Sequence, residues 1–162
     1  MLKVFFSKIK KEAKIPTKRR EDNCYDIYAC FEEDYIEIKP MEIKSIPTGI
    51  ASACPVGYGF SIKERGSTGK IGLSKRSGEI DSGYRGEWFL NINNTNNKTL
   101  RIDKSVQKIE ETEDLILYPY TKAVASARLV KIYNVELEEI PYEDLLRIKS
   151  ERGINCLGSS GK

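Results

Sequence analysis

The chain has no histidine among its 162 residues. That absence removes histidine general bases, Ser-His and Cys-His nucleophilic pairs, and histidine-ligated metals. If the protein is an enzyme, its base is a carboxylate, or less readily a lysine or tyrosine. Any metal is then held by oxygen, which favours Mg2+. Cys24, Cys30, Cys54 and Cys156 form no CxxC pair, so structural zinc is not expected and buried reduced thiols are the default. No apolar run approaches the ~18–20 residues of a membrane-spanning helix. The opening MLKVFFSKIKKEAK has a short apolar patch followed by lysines, with no small-residue cleavage site. It reads as a first strand in a cytoplasmic protein, not as a signal peptide. Excess charge is also missing: a net +3 is too small to imply nucleic-acid binding. The cluster Lys8, Lys10, Lys11, Lys14, Lys18, Arg19, Arg20 has interleaved acids and no aromatic platform, and reads as a solvated strand edge or loop.

What the chain does have is short alternating runs. Tyr58, Phe60 and Ile62 alternate with Gly59, Ser61 and Lys63, and Trp88, Leu90 and Ile92 alternate with Phe89, Asn91 and Asn93. YIEIKP, LILY (115–118) and ARLVKIYNVEL (127–137) are further candidates, each bounded by Gly, Pro or Asn. This pattern predicts an all-β, jelly-roll-like sandwich or barrel. One short helix is expected in PYEDLLRIK, with Leu145, Leu146 and Ile148 available for packing. The polar stretch 95–114 reads as a long excursion between core strands. The division expected is a β domain over 1–149 and a flexible Gly/Ser-rich tail over 150–162.

Three segments stand apart chemically. RGSTG (65–69) and GSSGK (158–162) are each introduced by an arginine, Arg65 and Arg152, and are rich in glycine and hydroxyls. Such segments let backbone N–H groups and a guanidinium approach an anion closely. GEIDSGYRGE (78–87) sets Asp81 just before a Ser82-Gly83 turn and Tyr84 just after it. Glycine is suited to the positive φ of a tight hairpin. Together the three segments suggest a polyphosphate substrate and a carboxylate base.

Five segments in order resemble the motifs of the trimeric, all-β dUTPases: CYDIYA (24–29), PVGYGFSIKERGSTGKIGL (55–73), GEIDSGYRGE, KAVAS (122–126) and SERGINCLGSSG (150–161). The third is the most specific. The resemblance implies a homotrimer, of phage or bacterial type, with sites at subunit boundaries. It implies hydrolysis of dUTP to dUMP and pyrophosphate, which limits uracil incorporation into DNA and supplies dUMP for dTMP synthesis. It assigns uracil and deoxyribose to a hairpin of Gly78, Glu79, Ile80, Asp81 and Tyr84, with Asp81 directing water at the α-phosphorus. Arg65, Gly66, Ser67, Arg152, Leu157, Gly158, Ser159 and Ser160 fall at phosphate-binding positions, and Asp26 at a position that supports Mg2+ through water. The tail from Arg152 onward can span at most about 36–40 Å, enough to reach a neighbour.

Departures from the family pattern are Gly66 for serine, Ser126 for glutamine, and Leu157 for a base-stacking phenylalanine. A dCTP deaminase would need an acid near Asn91, and none stands there. A third reading is a regulatory homologue that binds a protein partner, which is compatible with retained catalysis.

Overall fold

The computed structural model describes residues 2–155. Short strands run through the chain: β1 (Phe5–Lys8), β2 (Tyr25–Ile27), β3 (Tyr35–Ile38), β4 (Ile43–Pro47), β5 (Ile50–Ala53) and β6 (Tyr58–Glu64). One helical turn, α1 (Gly66–Lys70), precedes β7 (Leu73–Lys75) and β8 (Glu79–Ile80). There follow β9 (Phe89–Asn94), β10 (Thr99–Asp103), β11 (Glu110–Glu111), β12 (Leu115–Pro119) and β13 (Ala125–Lys131), and then α2 (Tyr142–Arg147). The strands pair in the orders β1-β5, β11-β12-β10-β3, β2-β13-β6-β8 and β4-β9-β7. Pairing is antiparallel except between β10 and β12.

Alternation decides what is buried, because successive side chains in a strand face opposite ways. In the β2-β13-β6-β8 sheet, Ile27, Ala125, Ala127, Phe60 and Ile62 point inward. Ile38, Leu100, Ile102 and Ile116 do the same from the sheet built on β10. Phe6, Phe60 and Trp88 meet at ring-centroid separations of 5.1–5.5 Å, and Trp88 is fully buried. Cys24, Cys30 and Cys54 are free thiols. Among the described residues no helix is long and apolar enough to cross a membrane.

Asn94 is a polar residue inside this core. It is fully buried, and its side-chain amide donates to the carbonyls of Ile38 and Lys98, each at 2.8 Å. Its oxygen accepts from the backbone N–H of Asn96 at 3.0 Å. Asn94→Leu removes all three bonds at once, so we expect it to cost about 1–3 kcal/mol, read as a lower urea midpoint at unchanged slope.

Three expectations change. The stretch 95–114 is not an excursion: Leu100 and Ile102 of β10 are fully buried, and their alternation with Thr99, Arg101 and Asp103 is masked by the charged residues on either side. β13 ends at Lys131, short of the expected 137, and from Ile132 onward the described chain is exposed. α2 forms where expected, yet Leu145, Leu146 and Ile148 remain about half exposed rather than packed within the subunit. The structure also adds α1, which strand periodicity does not reveal.

Candidate active site

The first half of the site forms where β2, β13 and the end of β6 meet. Register sets Ser126 beside Asp26 on one flank and beside Lys63 on the other, so all three project from the sheet face opposite the core. β6 gives way at Arg65, whose backbone is still extended (φ −86°, ψ 154°) before α1 begins. The buried Thr68 hydroxyl fixes this corner, accepting from the Arg65 N–H at 3.0 Å and donating to the Arg65 carbonyl at 3.1 Å.

The corner turns the Arg65 guanidinium onto Asp26. Nε lies 3.0 Å from Oδ1, Nη2 donates to Oδ2 at 3.4 Å, and Nη1 donates to the Ala123 carbonyl at 3.3 Å. Tyr118, fully buried, donates its hydroxyl to the same carbonyl at 2.7 Å. Burial pushes the Tyr118 hydroxyl pKa up, so it remains a neutral donor at neutral pH. Ala123 and Tyr118 thus support Arg65 from behind, a role the sequence does not announce. The only signal for Tyr118 is its place in the LILY alternation.

A cavity of about 770 Å³ opens over this cluster, lined by Asp26, Glu64, Arg65, Gly66 and Ser126 and walled by the segment 17–24. That wall includes Lys18 and Arg19, which composition alone assigns to a solvated cluster. Burial acts to raise the Glu64 carboxyl, but the Lys75 N–H bound to it at 2.8 Å and the lysine charges nearby bring it below the ordinary carboxylate range. Gly66 has open space where a Cβ would stand, so its lack of a side chain is not forced by packing. Ser67 is exposed and does not line the cavity.

The second half is the turn after β8. This strand pairs with β6 through Phe60↔Ile80 and Ser61↔Glu79 and is the edge of its sheet. Ser61 donates to the Glu79 carboxylate at 2.8 Å. Gly78 is dictated by close backbone approach: its carbonyl accepts from Ile62 at 2.7 Å, and an added Cβ would lie 2.9 Å from the Ile62 carbonyl. The turn closes by Tyr84 N–H to the Asp81 carbonyl at 3.2 Å, leaving Asp81 exposed at its tip. Arg85 reinforces it, donating to the carbonyls of Ser82 at 2.6 Å and Tyr84 at 2.9 Å. The Tyr84 ring covers Gly86, where any Cβ would collide with it, and its hydroxyl donates to the Glu87 carbonyl at 3.0 Å.

The expected hairpin is corrected in two respects. Gly83 does not use left-handed backbone. The returning segment also does not pair with β8, because it is drawn to β5 and the loop before it. Trp88 N–H bonds the Ile50 carbonyl at 2.9 Å, and Gly49 N–H bonds the Glu87 carboxylate at 2.7 Å. The outer backbone edge of β8 is therefore without a strand partner among the described residues.

Glu79, Ile80, Asp81 and Ser82 line a separate cavity of about 180 Å³ that shares no residue with the first. One subunit therefore brings Asp26, Arg65, Gly66 and Ser126 together, and separately Gly78, Glu79, Ile80, Asp81 and Tyr84, without joining the two groups. Arg152 is exposed, its Nε donating to the Asn155 carbonyl at 2.9 Å. Leu157, Gly158, Ser159 and Ser160 lie outside the described residues. Among the described residues no three acidic or cysteine side chains converge as direct metal ligands. Asp26, already bound by Arg65, suits a hydrated ion better than a bare one.

The dUTPase family model matches residues 11–109. The deoxyuridine 5'-triphosphate nucleotidohydrolase of Nautilia profundicola is 32% identical over 165 residues, covering 99% of this chain and 100% of that protein. A point mutant of the Staphylococcus bacteriophage 80alpha dUTPase with dUpNHpp superposes with a TM-score of 0.77 at 25% identity, covering 99% of each chain. A mutant dUTPase from phage phi11 of S. aureus, described for its coordination of a structural Mg(II) ion, has a TM-score of 0.66 at 22% identity and covers 85% of this chain and 96% of its own. On the family match and the full-length likeness, the chain belongs to the dUTPase family.

Proposed function

We infer that the protein hydrolyses dUTP to dUMP and pyrophosphate. The observation that carries this reading is the open outer edge of β8 ending in the exposed carboxylate of Asp81. The backbone N–H and C=O groups on the outer side of this edge match the donor and acceptor edge of a pyrimidine. The Tyr84 ring lies beneath the sugar. Asp81 takes a proton from water as the water oxygen bonds to the α-phosphorus, and the bond from that phosphorus to the bridging oxygen breaks. Pyrophosphate leaves with the bridging oxygen.

The two half-sites lie apart within one chain, which supports a homotrimer in which Asp81 of one subunit faces Arg65 of the next. The exposed apolar side chains of α2 and its approach, such as Leu137, Leu145 and Ile148, are consistent with burial between subunits. Arg65, with Gly66 and Ser67, receives the phosphates, and Asp26 orients the water shell of Mg2+. That ion, when bound, neutralises charge on the leaving pyrophosphate. The tail 150–162 acts as a flap through Arg152, Leu157, Gly158, Ser159 and Ser160, and the protein works in the cytoplasm of its cell or host.

Asn91 speaks against deamination of dCTP. It is held between Ser45, at 2.5 Å, and Ser77, at 2.7 Å, and offers no proton-shuttling acid. The direct test is pyrophosphate release from dUTP, dCTP and dTTP, with ammonia followed in parallel. Release from dUTP at least about a hundredfold faster than from the others is expected. Ammonia from dCTP would refute the assignment.

A further inference from the structure

Among the described residues three cations line the larger cavity, and two of them are already committed. Arg65 is paired with Asp26 at 3.0 Å. Arg19 is paired with Asp22, with Nε 3.0 Å from Oδ2 and Nη2 3.1 Å from Oδ1. Lys18 has no carboxylate of the described residues within salt-bridge distance; its Nζ donates to the backbone carbonyls of Arg19 at 3.2 Å and Arg20 at 3.4 Å. It also lies 5.6 Å from the centroid of the Tyr25 ring. Carbonyls and a ring face hold an ammonium in position without cancelling its charge.

The backbone keeps that charge at the cavity. Asp26 N–H donates to the Thr17 carbonyl at 2.8 Å, so the residue immediately before Lys18 is pinned to the strand that carries Asp26. On the other side, Asp22 N–H bonds the Arg19 carbonyl at 3.2 Å, and the Asp22 carboxylate accepts from Arg19 N–H, also at 3.2 Å. Residues 19–22 are thereby closed into a compact turn. The remaining carboxylates of the lining are Glu21 and Glu64, and Glu64 is already bound by the Lys75 N–H.

Resting on the dUTP reading above, we propose that Lys18 is a further contact for the terminal phosphates, and that it makes the site sensitive to the length of the phosphate chain. The attacked phosphorus must lie beside the nucleoside-binding turn, so the far end of the chain extends toward the 17–22 wall. A triphosphate brings more negative charge than Arg65 can balance while it still holds Asp26. The Lys18 ammonium, held by carbonyls and not by a salt bridge among the described residues, supplies the remainder, as a charge-assisted bond that a monophosphate is too short to reach.

Lys18 is exposed, so Lys18→Ala is expected to fold. In the full chain with Mg2+, the substitution should raise KM for dUTP roughly tenfold. It should weaken pyrophosphate, measured by inhibition and by calorimetry, by a similar factor, and leave dUMP binding unchanged. Lys18→Arg should restore most of the loss. Unchanged pyrophosphate affinity in Lys18→Ala would overturn the proposal, and so would an equal loss for dUMP. Failure of the wild-type chain to cleave dUTP would instead refute the enzymatic reading, and the pyrophosphate titration would still decide the role of Lys18.

Discussion

Asp81→Asn is expected to lower kcat for dUTP about a thousandfold while changing nucleotide affinity by no more than a few fold. Asparagine keeps the size of the side chain and an oxygen that can accept from a sugar hydroxyl. It cannot take a proton from water. The carboxylate stands exposed at the end of a turn held by the Tyr84 N–H and stapled by Arg85, and none of those bonds involves its own oxygens. The turn should therefore survive the change. The absence of histidine sharpens the test by removing one ordinary substitute base, and the neighbouring Glu79 carboxylate already accepts from the Ser61 hydroxyl at 2.8 Å. Single-turnover hydrolysis measured beside equilibrium binding of a non-hydrolysable dUTP analogue separates chemistry from affinity. Comparable turnover by both proteins would remove Asp81 from the mechanism.

Arg65→Ala should reduce kcat/KM for dUTP by a factor of about a hundred to a thousand. The guanidinium serves two partners by geometry, the Asp26 carboxylate and the Ala123 carbonyl, and by inference a third, the phosphates. Its removal takes a positive charge from the cavity and leaves Asp26 facing the incoming triphosphate without a counter-charge. The second effect should be partly reversed in Arg65→Ala, Asp26→Asn, and recovery of about fivefold or more in KM would identify it. Arg65→Lys keeps the charge but loses the fork, and should recover only part of the wild-type rate. Equal kcat/KM in Arg65→Ala and wild type would place the phosphates elsewhere.

The sequence exposes one half of this site more plainly than the other. Around Asp81 the determinants are local: a glycine forced by the Ile62 carbonyl, an acid, a turn and a tyrosine, all within ten residues. Around Arg65 they are spread over β2, β6 and β13, with Tyr118 and Ala123 behind them. Composition picks out Arg65 through RGSTG, but composition and alternation do not say which distant strands will pair, so Asp26 follows from family resemblance alone and its meeting with Arg65 from no pattern in the sequence. Lys18 is hidden for a related reason. Its neighbours Arg19 and Arg20 make it look like one more solvated charge, and only the Thr17–Asp26 bridge shows which way it is held. The β architecture is legible because inward positions repeat every second residue. Leu100 and Ile102 escape because the charged residues surrounding them outweigh a two-residue signal. The single turn of α1 depends on one buried threonine hydroxyl, which no periodicity reports.

β8 spans only Glu79 and Ile80, and among the described residues its outer side has no companion strand. An unpaired border of greater length invites a foreign chain to add itself, the route by which β proteins clump. Two residues give an intruding peptide almost no purchase, yet they suffice for a flat ring a few ångströms across. On the proposed reading, the brevity that admits a base also protects against self-association, and lengthening this strand by substitution at Asp81 or Ser82 would trade a nucleotide pocket for a sticky rim.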